Sequence, residues 1–418
     1  VCYGKEKKGI GFPFPLGLIL LSFVIALSLP ETGQLISHFV SGTGVSSYSD
    51  RQNDAASLVT TGFHQLPGRQ ALHSGSVQVS LTDRPVNAGD NRTQMRLIPG
   101  GQSIGIRVAT RGVLVVGYHA VSGSAGGQSP GENADIRIGD VITKINGAAI
   151  RNVADVQKMV PIASQLKPLK VDVLRRNSII RKNLIPVKSN GQNQLGLNIR
   201  DSASGIGTLT YYDPETSAYG ALGHVISDHD TGQPILIKNG SILKASVMAI
   251  EKGVQGKPGE KIALFSDHAR TIGTVEENTP FGIFGHFQRS PQMSELRLGE
   301  ALPVARPSQV HEGPAKILTV LNGNQVQAFS IRILNSETQR KPGTKGLVIK
   351  ITDPRLLKVT GGIIQGMSGS PIIQNGMLVG AVTHVFVNDP TCGYGIHIEW
   401  MLRGNELGEG QTSAEKAG

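Results

Sequence analysis

Gly361-Gly362-Ile363-Ile364-Gln365-Gly366-Met367-Ser368-Gly369-Ser370-Pro371-Ile372 is the stretch on which the reading of this chain turns. A β-branched run ends in a serine flanked by glycines, and an apolar strand resumes through Gly380-Ala381-Val382. A nucleophilic serine needs its hydroxyl exposed at a tight turn, with backbone N–H groups free to face a developing oxyanion. Gly366 and Gly369 let the backbone approach a reacting carbonyl with no Cβ in the way. The hydroxyl alone is a weak nucleophile, so a base is required. Upstream, Gly220-Ala221-Leu222-Gly223-His224-Val225-Ile226-Ser227-Asp228-His229-Asp230-Thr231-Gly232 offers His224 among small residues. His268, His286 and His311 lack that glycine-rich setting. A carboxylate should hold the imidazole tautomer. Asp353 at a strand end and Asp267 downstream of the histidine are both open. Asp228 and Asp230 sit too close to His224 and read as turn carboxylates.

Composition sets the frame around these motifs. The chain has 418 residues, 53 of them Gly and 2 of them Cys. That length suggests two or three domains, and the glycine excess favours short strands joined by tight turns. Cys2 and Cys392 lie far apart, so a disulfide-built scaffold is excluded. With no cysteine pair and no His-Glu-x-x-His spacing, no metal site is read and no cofactor is required. The net charge of +10 is spread thinly, without the basic runs that nucleic acid would call for.

From Ile10 to Pro30 no residue is charged, and Lys5, Lys7 and Lys8 precede the run. About 20 apolar residues span a bilayer core, so residues 1–30 are expected to form a signal anchor or transmembrane segment. The basic flank stays cytoplasmic and the rest is exported. Ala26-Leu27-Ser28 offers a cleavage site, which leaves open whether the anchor is retained. Residues 31–96 read as a polar spacer.

Beyond Pro99 the pattern changes to alternating apolar strands, with helical spacing from Asn152 to Val160 and Asn152 as its N-cap. Residues 97–189 resemble a PDZ domain. The resemblance is carried by Ile104-Gly105-Ile106, by Ala134-Asp135-Ile136-Arg137-Ile138-Gly139-Asp140 and by Ile145-Asn146-Gly147. It implies an α+β module whose Ile104-Gly105-Ile106 loop binds the end of an extended peptide beside a strand edge.

Gly366-Met367-Ser368-Gly369-Ser370-Pro371 resembles the signature of trypsin-like serine peptidases, in which the first serine, Ser368, is the nucleophile. His384 and His397 follow it and break the His-then-Ser order. The two long motifs, the PDZ-like stretch, the apolar N-terminus and His384-Val385-Phe386-Val387-Asn388-Asp389-Pro390-Thr391 together resemble the SpoIVB peptidase family. The resemblance implies a mainly β chain with a two-barrel peptidase over 190–418. It places the triad on His224, Asp353 and Ser368 and the oxyanion donors on Gly366, Met367 and Ser368. It further implies a sporulation endopeptidase, exported to the intermembrane space of the forespore and held in the forespore membrane by its anchor. Such an enzyme cleaves itself and a membrane-bound regulator, activating the intramembrane protease that processes pro-sigma-K. A general envelope quality-control PDZ protease and a non-catalytic PDZ scaffold are the alternatives.

Overall fold

The computed structural model describes residues 95–122, 127–160, 168–265, 271–288, 299–337, 339 and 341–404. The anchor segment and all but the end of the spacer lie outside the described residues. Among the described residues no helix is long and apolar enough to cross a membrane.

The chain is mainly β. In order come β1 (Ser103–Tyr118), β2 (Val141–Ile145), the helix α1 (Val153–Met159), β3 (Leu169–Arg175) and β4 (Ser178–Leu184). Then follow β5 (Leu197–Tyr212), β6 (Ala218–Ala221), β7 (Ile237–Lys244), the hairpin β8 (Ser246–Glu251) and β9 (Glu260–Leu264), β10 (Thr271–Val275) and β11 (Gly282–His286). The C-terminal part holds β12 (Gly313–Val320), β13 (Val326–Ser336), β14 (Leu347–Ile351), the helix α2 (Pro354–Thr360), β15 (Pro371–Gln374), β16 (Met377–Phe386) and β17 (Asp389–His397).

Strands β1 and β5 each serve two sheets. From Ser103 to Ala109, β1 pairs with β5 on one edge and β7 on the other. β5 continues to β6 and β6 to β11, while β7 pairs with β10. A bridge from Gly273 to Phe287 brings the curled sheet back on itself. Past Gly112, whose φ of 142° needs glycine, β1 enters the second sheet. There it pairs with β2 and with Leu197–Arg200 of β5, and β2–β3–β4 complete the ladder. Helix α1 closes that sheet. Asn152 caps it as the sequence suggests, accepting from the Asp155 amide at 2.9 Å, and Val156 packs on Val113, Ile142 and Val171.

This arrangement corrects the expected boundary at residue 97 and the expected peptide-binding loop. Ile104, Gly105 and Ile106 are mid-strand in β1, paired on both edges. Ile104 and Ile106 are buried among Leu209, Tyr219, Ile242 and Ile283. Gly105 is small because Phe265 lies against it: an added Cβ would come within 2.6 Å of that ring. Burial on both edges, not a loop over a ligand, accounts for the Ile-Gly-Ile pattern. The PDZ-like sheet instead lies between two halves of the curled sheet, entered by β1 and left by β5.

The C-terminal strands close a barrel in the order β12–β13–β14–β17–β16–β15. Its core joins Ile317, Phe329, Ile331, Ile349 and Ile372 to Met367 of the serine loop. Each such side chain contributes roughly 1.5–3 kcal/mol by its burial, so the serine loop is fastened to the barrel by its own methionine.

Candidate active site

Helix α2 ends at Gly361 in a left-handed cap, and the chain reaches Ser368 through the buried Ile363 and Ile364. Every buried backbone polar group needs a partner, and the loop can be accounted for group by group. The carbonyl of Gln365 accepts from the Lys261 amide at 3.0 Å, that of Met367 from the Ser370 amide at 2.9 Å, and that of Ser368 from the Thr208 amide at 3.0 Å. The carbonyls of Gly366 and Gly369 accept from the hydroxyls of Thr208 and Thr210, at 2.7 and 2.8 Å. The amides of Gln365, Met367, Gly369 and Ser370 donate to Gly259, Ile364, Val382 and Met367. Among the described residues, the N–H groups of Gly366 and Ser368 are left without a partner.

Gly366 and Ser368 line a cleft of about 560 Å³ together with His224. A pair of fixed, unpartnered N–H groups beside a serine is the arrangement that holds an oxyanion. Met367, expected as a donor, is not one here: its amide closes a turn onto Ile364 at 3.1 Å. The conformation requires glycine on both sides. Gly366 and Gly369 have φ of 87° and 91°, and a Cβ on Gly369 would come within 2.2 Å of the Thr208 carbonyl oxygen. Ser368 Oγ donates to the Thr383 carbonyl at 2.9 Å. Ser370 is fully buried, so of the two serines in this loop Ser368 is the one that lines the cleft.

His224 follows β6 through Leu222 and Gly223, both left-handed, which swing the ring into the cleft. Its Nδ1 lies 2.8 Å from the Val225 carbonyl. A carbonyl can only accept, so Nδ1 carries the proton and Nε2 keeps its lone pair. Burial pushes its pKa below the ordinary histidine value, against a smaller opposing effect of the Val225 carbonyl. Asn278 holds the loop from outside, accepting from the Ile226 amide at 2.7 Å and donating to the Ile226 and Ile235 carbonyls. Asp228 takes the turn role the sequence suggests, accepting from the Asp230 and Thr231 amides, and Arg200 pairs with both aspartates at 2.8 Å.

The structure does not bring Asp353 to this histidine. It caps α2, accepting from the Arg355 amide at 2.9 Å, the Ser330 amide at 3.2 Å and the Arg355 guanidinium at 2.8 Å. That guanidinium holds its carboxyl well below the usual carboxylate range. The ladder aligns Val348 of β14 with Tyr394 and Tyr394 with His384. Asp353 lies beyond the end of β14 at Ile351, in the turn into α2. Asp-Pro followed by a helix is an N-cap signature, and that physics places the residue. Asp267 lies outside the described residues. The ring beside His224 is His384, with centroids 5.3 Å apart. Chain order set this residue aside, but β16, whose Thr383 carbonyl accepts from Ser368, carries it against the His224 ring.

A model of the SpoIVB peptidase S55 family matches residues 191–402. The chain belongs to the SpoIVB peptidase S55 family. A PDZ-domain model matches residues 124–172, which begins after Ile104–Ile106 and agrees with the sheet entered past Gly112. No curated protein matches the chain. Among solved structures it is similar to Rv3671c of M. tuberculosis. The inactive form as a serine-to-alanine mutant is 16% identical, with 48% of this chain and 80% of that chain covered and a TM-score of 0.29. The inactive form of the Rv3671c protease is 15% identical, covering 48% and 82%, with a TM-score of 0.28. The active form is 15% identical, covering 48% and 73%, also at 0.28.

As a SpoIVB-family serine peptidase, this chain cuts peptide bonds with a serine hydroxyl. Ser368 and His224, which glycine-rich turns mark in the sequence, line one cleft. Thr208, Thr210, Asn278 and Lys261 carry no such mark, because their contributions come from strands remote in sequence. Lys261 is the least expected of these. It is fully buried, its Nζ donates to Thr319 Oγ1 at 2.7 Å and to Ser103 Oγ at 3.3 Å, and burial lowers its pKa to about 7. Its aliphatic stem walls Gly366 at 3.1–3.3 Å from where a Cβ would stand.

Proposed function

We propose that this peptidase is the sporulation endopeptidase its family resemblance implies, with Ser368 as nucleophile and His224 as base. The observation that carries the reading is the cleft holding the Ser368 hydroxyl, the His224 ring and the two free amides. When substrate enters, the Ser368 O–H turns from Thr383 to Nε2 of His224. Oγ bonds to the peptide carbonyl carbon as Nε2 takes the proton, and the oxyanion rests on the Gly366 and Ser368 N–H groups. Collapse breaks the C–N bond, and His224 returns the proton to the leaving amine. Water repeats the cycle and releases the acid. Nδ1 stays protonated throughout, oriented by the Val225 carbonyl.

The base must be neutral to act, and its depressed pKa carries activity to lower pH than an ordinary histidine allows. The acid limb of kcat/KM is therefore expected to fall below about 6.5. A limb at or above that value would contradict the assignment of His224.

In this reading the substrates are a membrane-bound regulatory protein and a second copy of the chain. The Ile10–Pro30 segment holds the enzyme in the forespore membrane facing the intermembrane space. The PDZ peptide ligand, expected at Ile104–Ile106, is reassigned to the edge of Leu197–Asp201. That edge has no strand partner among the described residues and is tied to α1 through the Asp201 carboxylate and the Val153 amide at 2.8 Å. The test is coexpression of the full chain, or its Ser368→Ala variant, with a candidate regulator. Self-cleavage and regulator cleavage are expected only with Ser368. Equal processing by both versions would overturn the reading, and faster cutting of unfolded casein than of the regulator would favour a quality-control protease.

A further inference from the structure

Thr208 is fully buried on β5, and each of its polar groups is committed to one of the two catalytic segments. Its hydroxyl donates to the Gly366 carbonyl at 2.7 Å and its amide to the Ser368 carbonyl at 3.0 Å. Its own carbonyl accepts from the Leu222 amide at 3.3 Å, two residues before His224. One residue of the curled sheet therefore touches both the serine loop of the closed barrel and the turn that presents the histidine.

We propose that Thr208 is the positioning residue that sets the oxyanion hole in register with the catalytic base, a role that rests on Ser368 being the nucleophile. A peptide unit is planar, so fixing one carbonyl fixes the amide across the same bond. The Gly366 carbonyl belongs to the unit that ends in the Met367 amide. With the Thr208 hydroxyl on one side and Ile364 on the other, that unit cannot rotate. Its neighbours on either side carry the free N–H groups of Gly366 and Ser368; their carbonyls, of Gln365 and Met367, are held by the Lys261 and Ser370 amides, and the central unit sets the angle between them. Releasing the Gly366 carbonyl lets this central unit turn toward another donor and draws the two amides out of convergence. Thr210 pins Gly369 in the same way, but beyond the two donors. The Thr208 hydroxyl is thus the side-chain contact placed between them.

The test is labelling of the full-length chain by a fluorophosphonate, whose phosphoryl oxygen occupies the oxyanion position as Ser368 Oγ bonds to phosphorus and fluoride leaves. Thr208→Val, which removes the hydroxyl and keeps the shape, is expected to lower the maximal labelling rate about 10- to 100-fold. The half-saturating concentration should stay within about 2-fold, because initial probe binding is untouched. Thr208→Ser, which restores the hydroxyl, is expected to recover the rate to within about 3-fold. Rates are taken per folded molecule, from circular dichroism and melting of the same samples. Should the valine variant not fold, Thr208→Ala is read against Thr208→Ser in the same way. A folded hydroxyl-free variant labelling at the wild-type rate would overturn the proposal, as would a serine variant as slow as the valine one. Labelling that persists in Ser368→Ala would instead overturn the assignment of the nucleophile, so the two failures are distinguishable.

Discussion

Replacing Ser368 by alanine is expected to reduce kcat by about 10⁴- to 10⁶-fold, with His224→Ala close behind and the double variant scarcely worse. The size follows from the division of labour in the cleft. Nucleophile and base act as one unit, so removing either removes the step they share. What survives is the contribution of the two free amides, which can stabilise an oxyanion formed by water. Ser370 cannot take over, since it is fully buried and its amide is committed to the Met367 carbonyl. The measurement is turnover of casein by purified variants, corrected for folded protein by circular dichroism. A Ser368→Ala enzyme within 10-fold of wild type would mean that another group performs the attack.

Asp353→Ala is expected to lower stability by about 2 kcal/mol, combining a lost N-cap with the lost hydrogen bond from the part-buried Ser330 amide. Because the guanidinium of Arg355 is largely exposed, most of the loss comes from the two backbone amides rather than from the ion pair. The contribution depends on pH in a definite direction. The folded carboxyl titrates below its unfolded value of about 3.9, so the stabilisation is complete above that value and disappears as pH falls through the depressed folded one. Per folded molecule, kcat is expected to stay within about 10-fold of wild type, since the residue makes no contact with His224. Melting curves and active-site titration of the same preparation read the two effects separately. A loss of kcat by about 10³-fold or more at unchanged melting temperature would show that Asp353 reaches the histidine in the working enzyme, as the family resemblance implies.

The sequence carried the chemistry further than it carried the architecture. Ser368 and His224 were legible because each sits in a turn that only glycine permits, and such turns leave a local signature. The oxyanion donors were half legible. Gly366 and Ser368 emerge once the hydrogen bonds of the loop are counted, and nothing in the residue types distinguished them from Met367. Asp353 was misread because an aspartate before proline at a strand end suits both a triad and a helix cap. The Arg355 that decides between them lies two residues away, on the helix it caps. The PDZ-like module was legible as a pattern but not in extent. Alternation through Ile104 and Ile106 is the same whether a strand edges a groove or fills a barrel, and the partners that settle it, β5 and β7, lie about 100 residues or more downstream. Thr208 left no local signature at all, because its role is conferred by the strand that places it against the serine loop.

Where a fluorophosphonate attaches tests the role of Ser368 most directly. Full-length protein is labelled, digested and mapped by mass spectrometry, in parallel with the His224→Ala variant. A single adduct on Ser368, formed on the wild type and about 10³-fold more slowly or not at all without His224, is the predicted result. An adduct on Ser370 or on another hydroxyl, or equal labelling of Ser368 in the absence of His224, would contradict the account.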